Sequence, residues 1–588
     1  MKKSANFPLL FGTLIILLLI PALACTRTVS SPQELTEVAD KVSVYHETAV
    51  VYESTAEVVT ETAEAIITAT AREHLALASQ TAAAEAGVTL VPTETPTPTN
   101  TPVPTDTPTP TLTPRPTMRI ETIAPEQPAG TVDPSLPTAT EAAPLPEISA
   151  NFSSKHFYVA QTGDTADAVA FRYGTDVSHI AGLEEGTDTS RFLKPGTTLL
   201  ITAPQRTFAD GTRILPDEYI VMGYPSIEYD LEYEVQAAGG YLAAYTEDTS
   251  AGKLTGTEII RKVALDYSIS PIILMELLEY KSHWVYGSPH SIVEEHYPLG
   301  WLGENSSGLY KQMVWAAQEL SKGYYGWRYG TLSEIPFYKN PQPSFPIYFN
   351  PLLNAGSAAI QYLFAQLYPY DEFEEAIYGE NGFLQQFYLD FGNVWDSYID
   401  DPNGFNDRLT QPALTLPFSE NDEWCITGGP HESWTTGSPL GALDFAPRMA
   451  QEGCAQSDSW ITASAPGLVI RTGTGTVVLD LDMDGHEETG WVIYYLHVET
   501  RGRVEEGTTV PLHGRIGHPS CEGGNATGTH LHIARKYNGE WVNAYGPIPF
   551  DMSGWIPFGG TSYKGGISRD GDTIYAQTYA SSETLVHY

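Results

Sequence analysis

The stretch GTHLHIARKY, residues 528–537, sets His530 and His532 on either side of one leucine. Alternate residues of an extended strand share a face, so the two imidazoles point to one side about 7 Å apart. Such a pair suits metal ligation or proton transfer, and neither task is done alone. A catalytic zinc takes about three N or O protein ligands and keeps one position for water, and further imidazoles then move protons around it. The chain has only 15 histidines in 588 residues, which narrows the search for partners. Read singly, a further histidine such as His497 in YYLHV is a structural residue and Asp444 in ALDFAP a turn cap.

The elements that must position these groups are strands. From residue 417 the chain runs as short, Gly-punctuated segments, SAPGLVIRT, GTVVLDLD, GWVIYYLHVE, VPLHGRIGHP and GTHLHIARKY, which predict an all-β domain. Residues 417–545 resemble the lysostaphin-type zinc endopeptidases of peptidoglycan. GTHLHIA matches their His-x-His strand, YYLHV their single-histidine strand, ALDFAP the segment with the ligand aspartate, and GRIGHPSCEGGNATGTHLH their strand, loop and strand order. The resemblance implies a duplicated-hybrid-motif-like β-sheet over 416–550, followed by a β extension over 551–588. It implies Zn2+ held by Asp444 and His532, with His530 and His497 as the catalytic pair. His530 would take the proton of water, and His497 would donate to the oxyanion or steer the leaving amine. The family places its first ligand histidine four residues before the aspartate, where this chain has Leu440. His431, thirteen positions before Asp444, serves instead if the turn-rich WTTGSP lets the chain double back. The alternative is a lost ligand and a domain that only binds glycan or a partner. Cys425 is a more distant substitute.

Besides Cys25 the chain has Cys425, Cys454 and Cys521. An exported chain favours a disulfide, and an odd count leaves one thiol over. Cys454–Cys521 is the preferred pair, although spacing alone does not choose it. In DLDMDGHEETG, Asp480, Asp482, Asp484 and Gly485 imitate the start of an EF-hand loop, but the twelfth position is Trp491 rather than a bidentate glutamate. Ca2+ binding and a plain acidic hairpin turn both stay open.

Upstream, MKKSANF, the apolar run to Leu23 and the small-residue boundary make a secretory signal over 1–25. Its end resembles a lipobox, which implies lipidation of Cys25 and attachment to the outer face of the cell membrane. Ordinary cleavage with release, or an uncleaved anchor, are the alternatives. Residues 26–90 predict a helical stalk, self-associating through a seven-residue step or solitary. Residues 91–150 form a Pro/Thr-rich linker; its regular part, PTETPTPTNTPVPTDTPTPTLTPRPT, favours a polyproline II rod of about 80 Å. Residues 155–204 resemble a LysM domain, with YVAQTGDT as strand and turn, helices through AVAFRYG and VSHIAGL, and LKPGTTLLI as closing strand. That implies a βααβ fold binding N-acetylglucosamine-containing glycan through loops Thr162–Thr165 and Ile180–Glu184. The asparagine usual after the second helix is replaced by acidic residues, and a plain spacer is the alternative. Residues 205–415 predict a mostly helical domain, with helices broken at Ser270–Pro271. LLEYKSHWV and GLYKQMVWAAQEL resemble lysozyme-like lytic transglycosylases, which implies Glu279 as a glycan-cleaving acid. A domain that merely packs or binds glycan is the other reading.

The fold class is therefore multidomain α+β. A formal charge of −41, from 31 basic and 72 acidic residues, argues against nucleic acid as a partner. The expected function is a zinc metalloendopeptidase cutting peptide cross-links of peptidoglycan at the cell wall. The alternative is an impaired, peptidoglycan-binding or hydrolase-activating lipoprotein.

Overall fold

The computed structural model describes residues 154–183, 188–249, 252–396, 398, 404–448 and 453–588. The signal segment with Cys25, the stalk and the Pro/Thr linker lie outside these residues, as does Glu184. The described residues belong to one compact unit. Among them no helix is long and apolar enough to cross a membrane.

The first module has β1 (Ser154–Val159), α1 (Ala166–Tyr173), β2 (Ile180–Ala181) and β3 (Thr198–Ala203), with β3 paired to both other strands. Thr165 caps α1 by accepting from Ala168 N, and Gly174 ends it at φ 70°. The second helix expected through VSHIAGL is a single 3-10 turn, Val177–His179. Asp176 caps that turn at Ser178 N, and the next residue, Ile180, leaves it to pair with Ile201. Strand pairing wins over helix extension there. The first presumed sugar loop is not open either. Gly163 N donates to Phe405 O at 2.6 Å, and Thr162 O accepts from Arg328 at 2.9 Å. Arg172 reaches Trp327 O at 3.1 Å, and Asp164 is buried.

The middle region is helical, built around α2 (Gly256–Tyr267), α3 (Pro271–Ser282), α4 (Leu309–Arg328) and α5 (Ala355–Leu367). Thr255 and Glu258 form a capping box for α2, and Pro271 opens α3 directly after its Ser270 cap. The apolar face, Ile259, Val263, Ile272, Leu274, Leu277 and Leu278, is buried throughout.

The C-terminal region is all-β among its described residues. Its main antiparallel sheet contains β4 (Trp424–His431), β5 (Ala442–Pro447), β6 (Gly467–Gly473), β7 (Thr476–Asp480), β8 (Trp491–Leu496), β9 (Thr509–Val510), β10 (Leu531–Tyr537), β11 (Glu540–Trp541) and β12 (Leu585–Val586). The order is β9-β6-β7-β8-β10-β5-β4-β12, with β11 attached to β10. The extension 551–588 is thus not an appendage, because its last strand pairs with β4. Alternation divides the sheet into two faces. Leu443, Phe445, Ile493, Tyr495, Leu531 and Ile533 fill the core of this region. Ala442, Val492, Tyr494, Leu496 and Ala534 face the other way, into a core shared with α2 to α5. An apolar sheet face needs a cover, and the helices supply it. Arg328 at the end of α4 seals the joint. It binds Glu540 through both Nε and Nη2 at 2.9 Å and Asp217 at 2.9 Å, while Tyr324 donates to Glu540 at 2.6 Å.

Candidate metal centre and cleft

Register brings the ligand candidates together. His532 on β10 lies opposite Asp444 on β5 and opposite Leu496 on β8, one residue before His497. β4 and β5 form a hairpin in which His431 faces Ala442 and Gly428 faces Asp444. The loop between them therefore does double back. It rests on the helical region, with Trp434 edge-on to Tyr267 and to Tyr494. Gly428 is required where it is, since a Cβ there would sit 2.5 Å from Asp444 Oδ2.

His431 Nε2 lies 3.0 Å from His532 Nδ1 and 3.2 Å from Asp444 Oδ1, and His532 Nδ1 lies 3.4 Å from the same oxygen. The opposite nitrogens identify the tautomers, because a carbonyl only accepts. His431 Nδ1 donates to Gly429 O at 2.8 Å and His532 Nε2 to Ser433 O at 3.0 Å. In the neutral rings, the nitrogens facing each other and the carboxylate are therefore both lone pairs. Asp444 Oδ1 is buried with no hydrogen-bond donor. Three converging electron-pair donors suit a cation, and their carbonyl partners fix ligand orientation. Histidine nitrogens with a carboxylate oxygen suit zinc. In the metal-free site a proton can take the centre instead. Burial opposes charge on His431, but Asp444 outweighs it and raises its pKa.

The remaining two histidines are presented in the same way. His530 Nδ1 donates to Gly528 O and His497 Nδ1 to Glu522 O, each at 2.8 Å, so both turn Nε2 lone pairs inward. Their ring centroids are 4.4 Å apart, and His530 Nε2 is 3.7 Å from Asp444 Oδ1. Burial, followed by the neighbouring His530 and His532, lowers the His497 pKa to about 3. His497 also sits in the left-handed region at φ 65°, a conformation costing about 1–3 kcal/mol that turns its ring into the cleft. As held, its Nε2 accepts hydrogen bonds. The donor role expected of it first requires protonation, which this environment resists. The disulfide Cys454–Cys521 stands next to Glu522 and braces the loop carrying that carbonyl.

Two groups at the site escaped the sequence reading. Tyr563, from the extension, stacks on His431 at 4.1 Å and 15°, and Glu432 accepts from Ser562 Oγ at 2.5 Å. Burial, Asp444 and Glu432 raise the Tyr563 pKa to about 12, so its hydroxyl keeps its proton. Tyr563 and Glu432, with the four histidines, Asp444, Trp434, Thr435 and Asn525, line a cleft of about 260 Å³.

The other candidates are not part of it. Cys425 is buried with Sγ toward Ser581 O and does not line the cleft. Asp480, Asp482 and Asp484 cluster, but Asp480 accepts three backbone N–H groups and Asp484 accepts from His486 N and Thr489 Oγ1. These are the bonds of a tight acidic turn, and Trp491 at the twelfth position is paired in β8. Glu279 is buried at the end of α3, where Oε2 accepts from Val285 N and Tyr286 N and Oε1 faces His283 at 3.4 Å. Both oxygens hold the chain's exit from the helix rather than face a substrate.

Residues 213–403 match the family described as LasA, N-terminal domain, whereas their helices read as lysozyme-like. The chain is similar to Protease LasA of Pseudomonas aeruginosa, 26% identical over 299 residues, covering 48% of this chain and 66% of that protein. It is similar to Beta-lytic metalloendopeptidase of Achromobacter lyticus, 29% identical over 175 residues, covering 28% of this chain and 44% of that one. It thus spans just under two thirds of the first relative and under half of the second. A solved structure titled as the M23 metalloprotease pseudoalterin, from the deep sea, aligns at 23% identity and TM-score 0.24, covering 28% of this chain and 96% of that one.

Proposed function

We propose that this chain is a zinc metalloendopeptidase that hydrolyses peptide bonds of peptidoglycan. The observation that carries the reading is the convergence of His431, Asp444 and His532, whose facing ligand atoms lie 3.0–3.4 Å from one another. Similarity to Protease LasA and to a beta-lytic metalloendopeptidase supports the peptidase class. Zinc held by these three residues would polarise the scissile carbonyl and lower the pKa of water toward about 7. His530, mostly buried with its Nε2 lone pair inward, accepts the proton of the attacking water. His497 offers a second lone pair that steers the leaving amine by accepting its N–H, and the proton that His530 takes from water is returned to that amine. Among the described residues Tyr563 carries the hydroxyl stacked on a ligand ring, and it donates to the carbonyl oxygen as negative charge develops there.

The LysM-like module enters this reading as a mount, since its Thr162–Thr165 loop is occupied by Arg328 and Phe405. Export, lipid attachment at Cys25 and the stalk rest on the sequence and belong to the proposal. A peptidoglycan suspension tests it: turbidity should fall with release of new amino groups, and a zinc chelator should stop both. Release of reducing or anhydro-sugar ends instead would overturn the peptidase reading.

A further inference from the structure

We propose that Glu432 forms a subsite for a positively charged amino group of the peptide substrate, an inference that rests on the peptidase reading and deepens it. Two carboxylates line the cleft, Asp444 and Glu432, and among the described lining residues there is no lysine or arginine. Asp444 is taken up with the histidines that converge on its Oδ1. Glu432 is not. It stands one residue beyond His431, is half-buried, and receives one hydroxyl hydrogen bond from Ser562. A carboxylate has about four acceptor positions, so one hydroxyl leaves its charge and most of its capacity in place. A substrate carboxylate entering beside Glu432 meets an anion and, among the described lining residues, no lysine or arginine. A substrate ammonium meets an acceptor of opposite charge, and such charge-assisted bonds are about twice as strong as neutral ones. The wall therefore favours peptide segments with a free amine near the scissile bond.

The competing role for Glu432 is a clasp. Its bond to Ser562, together with Tyr563 N donating to Pro430 O at 3.0 Å, ties the Tyr563 loop to the end of β4. Two substitutions separate charge from clasp. Glu432→Gln keeps an acceptor oxygen for Ser562 and removes the charge; Ser562→Ala removes the clasp and keeps the charge.

The experiment compares release of new amino groups from peptidoglycan before and after exhaustive N-acetylation of its free amines, using the full chain. Wild type should act on untreated material on the order of tenfold faster, the size of one charge-assisted contact in a half-exposed cleft. The difference should lie in KM, because the contact exists before and during reaction. Glu432→Gln should bring the ratio of the two rates to about one, and Ser562→Ala should keep the wild-type ratio. A wild-type ratio near one, or the wild-type ratio persisting in Glu432→Gln, overturns the subsite and leaves the peptidase reading standing. No amino groups released by wild type from either material overturns the peptidase reading and the subsite with it.

Discussion

Each of the four cleft histidines gives one ring N–H to a main-chain carbonyl, at Gly429, Ser433, Gly528 or Glu522. The backbone thereby sets which nitrogen is free, and every free nitrogen faces inward as a lone pair. Beside these inward acceptors the Tyr563 hydroxyl, stacked over the His431 ring, is the donor next to a ligand. Tyr563→Phe should lower kcat about 10²-fold, the usual effect of removing one oxyanion donor, while zinc content stays at the wild-type level. Steady-state kinetics beside metal analysis checks this, and an unchanged kcat removes Tyr563 from the chemistry. Four of the centre's residues were legible because strand alternation and motif order are local signals: His530, His532, His497 and Asp444. His431 was legible only as a candidate, since thirteen residues from Asp444 fit a hairpin without specifying it. Tyr563 and Glu432 were not. Tyr563 reaches His431 through packing of a distant loop on β4, and no period or spacing in the sequence encodes that contact.

Among the elements, the β4–β5 hairpin does the positioning, and its tolerance is small at Gly428. The Cβ of Gly428→Ala would stand 2.5 Å from Asp444 Oδ2. The carboxylate must then move, and zinc affinity should fall about 10–100-fold, as when a ligand's supporting contacts are lost; competition with a chelator measures it. A second device ties β6 and β10 to the turn that ends in β8. Glu487 lies between Arg471 at 2.8 Å and Lys536 at 3.1 Å. Burial alone would raise its pKa, but the two cations outweigh burial and lower it to about 2. Unfolded glutamate titrates near 4.3, so this contribution is complete above that pH and lost as pH falls toward about 2. The unfolding free energy of wild type from denaturant titration should drop across that window, by on the order of 2–3 kcal/mol from this group. Glu487→Gln should be less stable at neutral pH and flatter in acid; an equally steep acid limb would rule the assignment out. The module's second helix shows where local reading stops. Asp176 and Val177 can start a helix, but Ile180 gains a strand partner in Ile201 that only the folded module supplies.

For the whole molecule, the main sheet belongs to two cores at once. One face is the interior of the β region, and the other continues into the helical region except where His532 and Asp444 open on the cleft. The sequence separated these regions by texture, helical periods before residue 415 and strands after 417. It contained no sign that they share a core, because a strand buried on both faces looks the same whatever covers it. Arg328 is the most constrained point of that joint, meeting the first module at Thr162, the helical region at Asp217 and the β region at Glu540. Arg328→Ala leaves Glu540 buried without its partner and should destabilise the chain by about 3–5 kcal/mol in denaturant unfolding. A cost near zero would mean that the regions are coupled by apolar packing alone.

The claim on which the account turns is that residues 431, 444 and 532 jointly hold a metal. Elemental analysis of the purified full chain, folded as judged by circular dichroism, measures it directly. One zinc per chain in wild type and none after His431→Ala is the predicted result. A folded His431→Ala chain that keeps full zinc occupancy, or a wild type that takes up no metal when zinc is supplied, contradicts it.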